Sequence, residues 1–126
     1  MEKSYILLKL DDSTYGIKVD SVVEVMTLEE SLNISYDRGI PLIDLRVLLD
    51  LEVSNSDNKE IILIEKSKAQ VGLIVDNTII IKTYNDPLLK ESTEKFINYY
   101  LKEKKLVKIL NIESLFYHLK KSKIIS

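Results

Sequence analysis

The chain has 126 residues, of which 45% are hydrophobic and 30% charged, a balance that suits one compact domain with its own hydrophobic core. Eighteen basic and twenty acidic residues leave a formal net charge of −2, which argues against a dedicated nucleic-acid-binding protein. The absence of cysteine excludes disulfides, thiolate metal sites and cysteine nucleophiles. Because no signal-peptide hydrophobic region opens the chain and no apolar run approaches the roughly 20 residues of a membrane span, we expect a cytoplasmic protein without membrane insertion.

Strand patterns dominate the first half of the chain. We predict strands over residues 5–10, 15–19, 22–26 and 40–45, the first two forming a hairpin. Pro41 cannot donate a backbone hydrogen bond to a ladder, so the last of these strands should begin at a sheet edge or a bulge. Asp44 is a suitable N-cap for a short helix over residues 45–49. The stretch SNSDN at residues 54–58 then has the composition of a linker.

The second half of the chain repeats this pattern. We predict strands over residues 60–65, 71–75, 78–84, 96–101 and 106–110, the last two forming a hairpin. Asp86-Pro87 disfavours regular structure, and residues 85–93 are therefore predicted to form a loop. Asn111 is a suitable N-cap for a closing helix over residues 112–121, where apolar residues recur at helical spacing. The protein should be mainly β, with short helices after Asp44 and at the C-terminus.

Two pairs of similar segments indicate an internal duplication. Residues 16–23 (GIKVDSVV) resemble residues 72–79 (GLIVDNTI), 56 positions later. Residues 42–49 (LIDLRVLL) resemble residues 109–116 (ILNIESLF), 67 positions later, so the second half has a longer middle. Each half has enough strands for a small barrel that closes its own edges, and neither alone would bury a large core. We expect two packed barrels in one domain, with the first over residues 4–56 and the second over 59–118.

Four blocks of the chain, in order, resemble the CheW-like domain of bacterial chemotaxis coupling proteins. They are YGIKVDSVVEV (residues 15–25), RG before PLIDLR (residues 38–46), VGLIVD (residues 71–76) and LVKILNIESL (residues 106–115). The resemblance implies two intertwined, five-stranded SH3-like barrels and a scaffolding role without enzymatic activity or cofactors. It implies two partners, the regulatory domain of a CheA-type histidine kinase and the cytoplasmic tip of a chemoreceptor.

The resemblance also implies positions for partner contact. Val22 and Glu24 match family residues tied to receptor contact, and Arg38, followed by Gly39, matches an arginine important for coupling. Gly72 opens a strand that lines the receptor groove in the family. Each residue also has a structural interpretation: Val22 as core, Gly72 as a site of close backbone packing, and Glu24 and Arg38 as solvated charges.

The chain departs from the family pattern between Val25 and Arg38. Family members have a longer segment there, with a proline-rich turn, a short helix and a further strand, whereas this chain has only residues 26–37. A shortened hairpin is therefore expected in the first barrel. This departure motivates a second hypothesis, a decoy or cap that binds only one of the two partners.

No catalytic or metal-binding constellation emerges from the remaining residues. His118 is the only histidine, and Asp11, Asp12 and Asp44 are explained by turn and cap positions. The three glycines do not form a phosphate-binding loop. The lysines at 102–105 and 120–123 leave open a third hypothesis, a β-barrel that binds nucleic acid. Their scatter, without interleaved aromatic residues, disfavours that hypothesis.

Overall fold

A computed structural model describes residues 3–10, 13–52, 59–76, 78–84, 88–91, 97–102 and 105–125. The strands are β1 (Lys3–Leu10), β2 (Ser13–Lys18), β3 (Val22–Thr27), β4 (Leu42–Asp44), β5 (Glu60–Lys66), β6 (Ala69–Val75), β7 (Thr78–Tyr84), β8 (Leu88–Glu91), β9 (Ile97–Lys102) and β10 (Lys105–Leu110). The helices are α1 (Leu28–Arg38), α2 (Leu45–Leu48) and α3 (Ile112–Lys121), with one 3-10 turn at Val19–Ser21.

The strands form two sheets, and each sheet takes strands from both halves of the sequence. The larger sheet has the order β7-β1-β2-β10-β9-β8, and the smaller has the order β3-β5-β6-β4. The fold is therefore mainly β, as the sequence predicted. The prediction of five strands in each barrel differs from the described pairing, which gives six and four strands. The strand counts differ because β8 and β9 extend the larger sheet, whereas helix α1 connects β3 to β4 in the smaller sheet.

The register of the two sheets reveals how the repeated segments are used. In the larger sheet Leu7 pairs with Gly16, which pairs in turn with Ile109 on the parallel strand β10. In the smaller sheet Leu63 pairs with Gly72, which pairs with Leu42 on the parallel strand β4. The repeated glycine strand of each half thus lies beside the repeated apolar strand of the other half. The two halves have exchanged strands.

The outer antiparallel pairs carry the same correspondence. The pairing of β1 with β7 is interrupted between Leu7 and Leu8, and that of β3 with β5 is interrupted between Val22 and Glu24. With the 56-residue offset of the repeat, Leu8 corresponds to Ile64 and Val22 corresponds to Thr78. The pair Leu8–Thr78 beside the first irregularity is therefore equivalent to the pair Ile64–Val22 beside the second. A shared irregularity supports the internal duplication more strongly than similar letters alone, since bulges are specific features of a strand pair.

The main hydrophobic core lies between equivalent faces of the two sheets. From β1 and β2 it takes Ile6, Leu8, Leu10, Tyr15 and Ile17, and from β5 and β6 it takes Ile62, Ile64, Val71, Leu73 and Val75. Leu110 of β10 and the buried residues of α2 and α3 also belong to it, the latter being Leu45, Leu48, Ile112, Leu115, Phe116 and Leu119. Alternation along each strand sends every second side chain into this core. Burial of this shared layer holds the halves together.

The opposite face of each sheet carries a smaller apolar cluster. In the larger sheet it consists of Tyr5, Leu7 and Ile109. In the smaller sheet it consists of Met26, Ile40, Ile61 and Leu63, with Leu28, Leu42 and Ile74 packed against them. Because β3 and β4 run parallel at opposite ends of the smaller sheet, α1 must return across the sheet between them. Accordingly α1 packs against β3 and β5, on the side of this second cluster.

Two local predictions were wrong and two were confirmed. Residues 28–37 belong to helix α1 instead of a shortened hairpin. Residues 88–91 form β8 within the predicted loop, because β9 supplies a pairing partner; residues 85–87 and 92–93 lie outside the described residues. The predicted caps are confirmed: Arg46 N donates to Asp44 Oδ1 at 2.9 Å, and Ser114 N donates to Asn111 Oδ1 at 3.1 Å. The predicted linker at 54–58 lies outside the described residues.

Candidate protein-binding surface

Strand β3 carries two of the five predicted contact residues at an end of the smaller sheet. Val22 is half-buried and packs against the main core, so its side chain has a structural role. The bulge follows it, and Val23 is 49% exposed there. Glu24 and Val25 are also exposed. An edge strand with exposed apolar and acidic side chains is suited to contact another protein.

A single cross-strand row joins Glu24 to Gly72. Glu24 pairs with Leu63, Leu63 pairs with Gly72, and Gly72 pairs with Leu42. With about 4.8 Å between neighbouring strands, Glu24 and Gly72 lie roughly 10 Å apart in this row. The two predicted residues therefore belong to the same face of the sheet, although only Glu24 is exposed.

Gly72 is buried, and its packing explains why the position is a glycine. A Cβ atom there would lie 2.6 Å from Leu42 Cδ2 and 2.9 Å from Ile61 Cγ2. The backbone is held by a hydrogen bond from Gly72 N to Pro41 O at 2.9 Å. Close packing of β4 against β6 thus needs a residue without a side chain. A partner contact at Gly72 stays a prediction, and such a contact would have to be indirect.

Helix α1 places Arg38 and Gly39 at its C-terminal end. Its N-cap is Thr27, whose Oγ1 accepts a hydrogen bond from Glu30 N at 3.2 Å and donates one to Glu30 Oε1 at 3.1 Å. Gly39 ends the helix with φ +65°, the left-handed conformation that glycine adopts without strain. Arg38 is exposed in the last turn, where a cation interacts favourably with the helix dipole. Two residues after Gly39 the chain enters the β4–β6 contact beside Gly72.

The structure reveals a buried arginine that the sequence reasoning did not identify. Arg46 is only 6% exposed, and its guanidinium contacts both oxygens of Asp76: Nε lies 3.4 Å from Oδ1, and Nη2 lies 2.5 Å from Oδ2. Arg46 Nη1 also donates to Glu52 O at 3.0 Å. The pair connects the start of α2 with the end of β6, and so joins the two sequence halves. The sequence offered a weak signal: Asp76 belongs to the repeated segment GLIVDNTI, and Arg46 lies two residues after the cap residue Asp44.

Within the part of the chain that the structure describes, no group of three or more His, Asp or Glu side chains is placed to hold a metal ion. In that same part, no helix is long and apolar enough to span a bilayer. The predicted contact residues instead follow one sheet. Glu24 and Arg38 are exposed near the two edges of this sheet. Gly39 ends helix α1. Val22 and Gly72 have packing roles inside the fold.

Two sheets with exchanged strands, built from a duplicated half, define a small β-rich domain. The family model of the CheW-like domain matches residues 4–120. The chain therefore belongs to the CheW-like domain family, and the resemblance drawn from the sequence is confirmed.

A solved structure agrees with this membership at the level of the fold. The chain is similar to the crystal structure of scaffolding protein TtCheW from Thermoanaerobacter tengcongensis, with a TM-score of 0.67 and 21% sequence identity. The match covers 87% of this chain and 89% of that chain. No curated protein matches the chain significantly.

Proposed function

We propose that this protein is a non-enzymatic, cytoplasmic adaptor that couples chemoreceptors to a CheA-type histidine kinase. The observation that carries the proposal is the family match over residues 4–120, on a chain whose repeated segments pair between its two halves. The solved structure with the same fold is described as a scaffolding protein, which agrees with a role in assembly. An adaptor of this kind works through several modest interfaces, so that the state of one partner biases the activity of another.

The surface proposed for the kinase and receptor contacts lies along the smaller sheet. Glu24 and Arg38 are the two predicted contact residues whose side chains are exposed, and they have opposite charges. Charged residues at an interface rim set orientation and association rate more than affinity. Val23, next to Glu24, supplies exposed apolar area on the same strand, and burial of apolar area contributes much of a contact energy.

Titration calorimetry of the whole chain against the regulatory domain of a CheA-type kinase tests the proposal. We expect saturable binding in the micromolar range, about −8 kcal/mol, weakened by Arg38→Ala. Lys9→Ala is the matched control, because Lys9 is also an exposed cation but lies on β1 of the larger sheet. Both substitutions should leave the free energy of unfolding within about 0.5 kcal/mol of the original value. Absence of binding at high protein concentration would contradict the kinase contact.

Helix α1 supports a second candidate function, a decoy or cap that binds one partner only. It occupies the place where family members have a longer segment with a further strand, and it exposes Leu32 (55%) and Arg38. The surface that α1 forms would therefore differ from the corresponding surface of a coupler that binds both partners. Co-sedimentation of the protein with receptor-containing membranes, with and without kinase, distinguishes the candidates. A coupler carries kinase into the pellet, whereas a decoy binds one component and lowers recruitment of the other.

A further inference from the structure

The outer face of α3 and the turn between β5 and β6 form a groove whose lining includes none of the five predicted contact residues. The groove has a volume of about 330 Å³ and is lined by Lys66, Ser67, Ala69, Glu113, Phe116, Tyr117, Lys120 and Ile125. A shallower depression adjoins it and shares Tyr117, Lys120 and Ile125, adding Lys121 and Lys123. We refer to these two connected depressions as the α3 groove.

Apolar and aromatic groups form part of the groove. Tyr117 is 70% exposed, the most exposed large hydrophobic side chain among the described residues. Phe116 is buried in the main core, and Ile125 and Ala69 are half-buried and pack against that core. An exposed tyrosine above a partly apolar depression is a common anchor arrangement at protein interfaces, because the ring supplies area at low conformational cost.

The chain end is folded so that lysines surround this depression. After α3, Lys123 adopts φ +60°, and Ile124 N donates to Leu119 O at 2.9 Å, so the backbone turns back on the helix. This turn returns Ile125 to the core and leaves Lys123 at the rim of the groove. Lys120 and Lys121 extend from the last helical turn and are exposed.

The charge of the groove is opposite to that of the chain. Its lysines at 66, 120, 121 and 123 face one acidic residue, Glu113, whereas the whole chain has a formal charge of −2. Glu113 Oε1 lies 3.1 Å from Lys66 Nζ and is 84% exposed, so this ion pair is weak and exchanges readily with another carboxylate. Among the described residues that line the groove, no other acidic side chain compensates the remaining positive charge.

We propose that the α3 groove binds a short acidic peptide segment that carries one apolar side chain. The depression accepts the apolar side chain against Tyr117 and Ile125, and the lysines contact carboxylates on either side of it. Nucleic acid is disfavoured as the occupant, because a long polyanion would meet the repulsion of a net acidic chain while leaving the apolar depression unused. This proposal does not depend on the adaptor function, since it uses none of the five predicted contact residues.

Fluorescence anisotropy with the full chain tests the proposal. The probe is a labelled hexapeptide in which glutamates surround one phenylalanine; the comparison probes replace the phenylalanine by alanine, or the glutamates by glutamine. We expect saturable binding of the first probe that weakens with added salt, and about tenfold weaker binding of each comparison probe.

Three variants locate the binding. Lys120→Glu and Tyr117→Ala should each weaken binding about tenfold, whereas Lys9→Glu, the same charge reversal at an exposed lysine on β1, should change it less than twofold. Unchanged circular dichroism shows that the variants are folded. Equal weakening by Lys9→Glu, or equal binding of the alanine probe, would overturn the proposal. So would tighter binding of a thymidine oligonucleotide, since the groove would then be a general polyanion surface.

Discussion

The larger and smaller sheets contain the same four-stranded unit, which occurs twice in the chain. They differ in the segment that connects the two outer strands of that unit. The unit β7-β1-β2-β10 corresponds to β3-β5-β6-β4. Between β7 and β10 the chain forms β8 and β9, which extend the sheet to six strands. Between β3 and β4 it forms α1, which crosses the face of the sheet instead. One duplicated framework therefore carries two different connections, and α1 packs with the second cluster of the smaller sheet and not with the main core.

The comparison also separates framework positions from surface positions. Gly16 and Gly72 occupy equivalent places and are both buried beside an apolar side chain of the other half. Arg46 and Glu113 also correspond in the repeat, yet Arg46 is buried with Asp76 while Glu113 is exposed beside Lys66. The smaller sheet thus has a buried ion pair at a place where the larger sheet has solvent-exposed charge.

The largest effect is expected for the buried ion pair. Arg46→Leu leaves the Asp76 carboxylate and the Glu52 carbonyl without the guanidinium, and should lower the free energy of unfolding by about 3 kcal/mol. Glu113→Leu, at the corresponding place, should change it by less than about 1 kcal/mol. Urea denaturation measures both values.

A double substitution sharpens this prediction. Arg46→Leu combined with Asp76→Asn also removes the carboxylate charge that the guanidinium contacted, and should be less destabilised than the sum of the two single variants. A cost below about 1 kcal/mol for Arg46→Leu alone would show that water replaces the guanidinium without penalty, and the pair would then not hold the sequence halves together.

An intermediate effect is expected at the two equivalent glycines. Gly72→Ala places a methyl group 2.6 Å from Leu42 Cδ2 and 2.9 Å from Ile61 Cγ2, and the latter atom is close to the backbone and cannot move away easily. We expect a loss of about 2 kcal/mol. At Gly16 the closest atoms are Ile109 Cδ1 at 2.6 Å and Leu7 Cδ2 at 3.2 Å, both ends of flexible side chains, so Gly16→Ala should cost about 1 kcal/mol. Thermal and urea unfolding check the order, and a reversed order would contradict this account of the packing.

The smallest effect on global stability is expected at the cap of α1. Thr27→Ala removes the acceptor for Glu30 N and should destabilise the helix by about 1 kcal/mol. Because α1 is a connection, the loss should be local: hydrogen exchange should accelerate in α1 and remain unchanged in β1 and β2. Asn111→Ala provides a comparison, since α3 packs into the main core and its loss should lower global stability. Equal acceleration throughout both sheets after Thr27→Ala would show that α1 is part of the cooperative core.

The spacing of apolar residues does not predict helix α1. The helix buries Ser31, whose Oγ donates to Leu28 O at 2.6 Å, and it exposes Leu32. A search for an apolar stripe therefore does not find it. The cap pattern was present, with Thr27 three residues before Glu30 and Gly39 directly after the last turn. Strand β8 had no comparable local signal, because its four residues are strand only through pairing with β9.

Local chemistry by itself determined most of the elements of this protein: the alternating strands, the caps at Asp44 and Asn111, and the duplication that relates Gly16 to Gly72. It also carried the family resemblance, since these features depend on residues close together in the chain. Only the tertiary structure decided which strands pair, that the two halves exchange β4 and β10, and that Arg46 meets Asp76 thirty residues away. The physical reason is that pairing between distant segments is decided by burial of the shared core, and no local pattern encodes that choice.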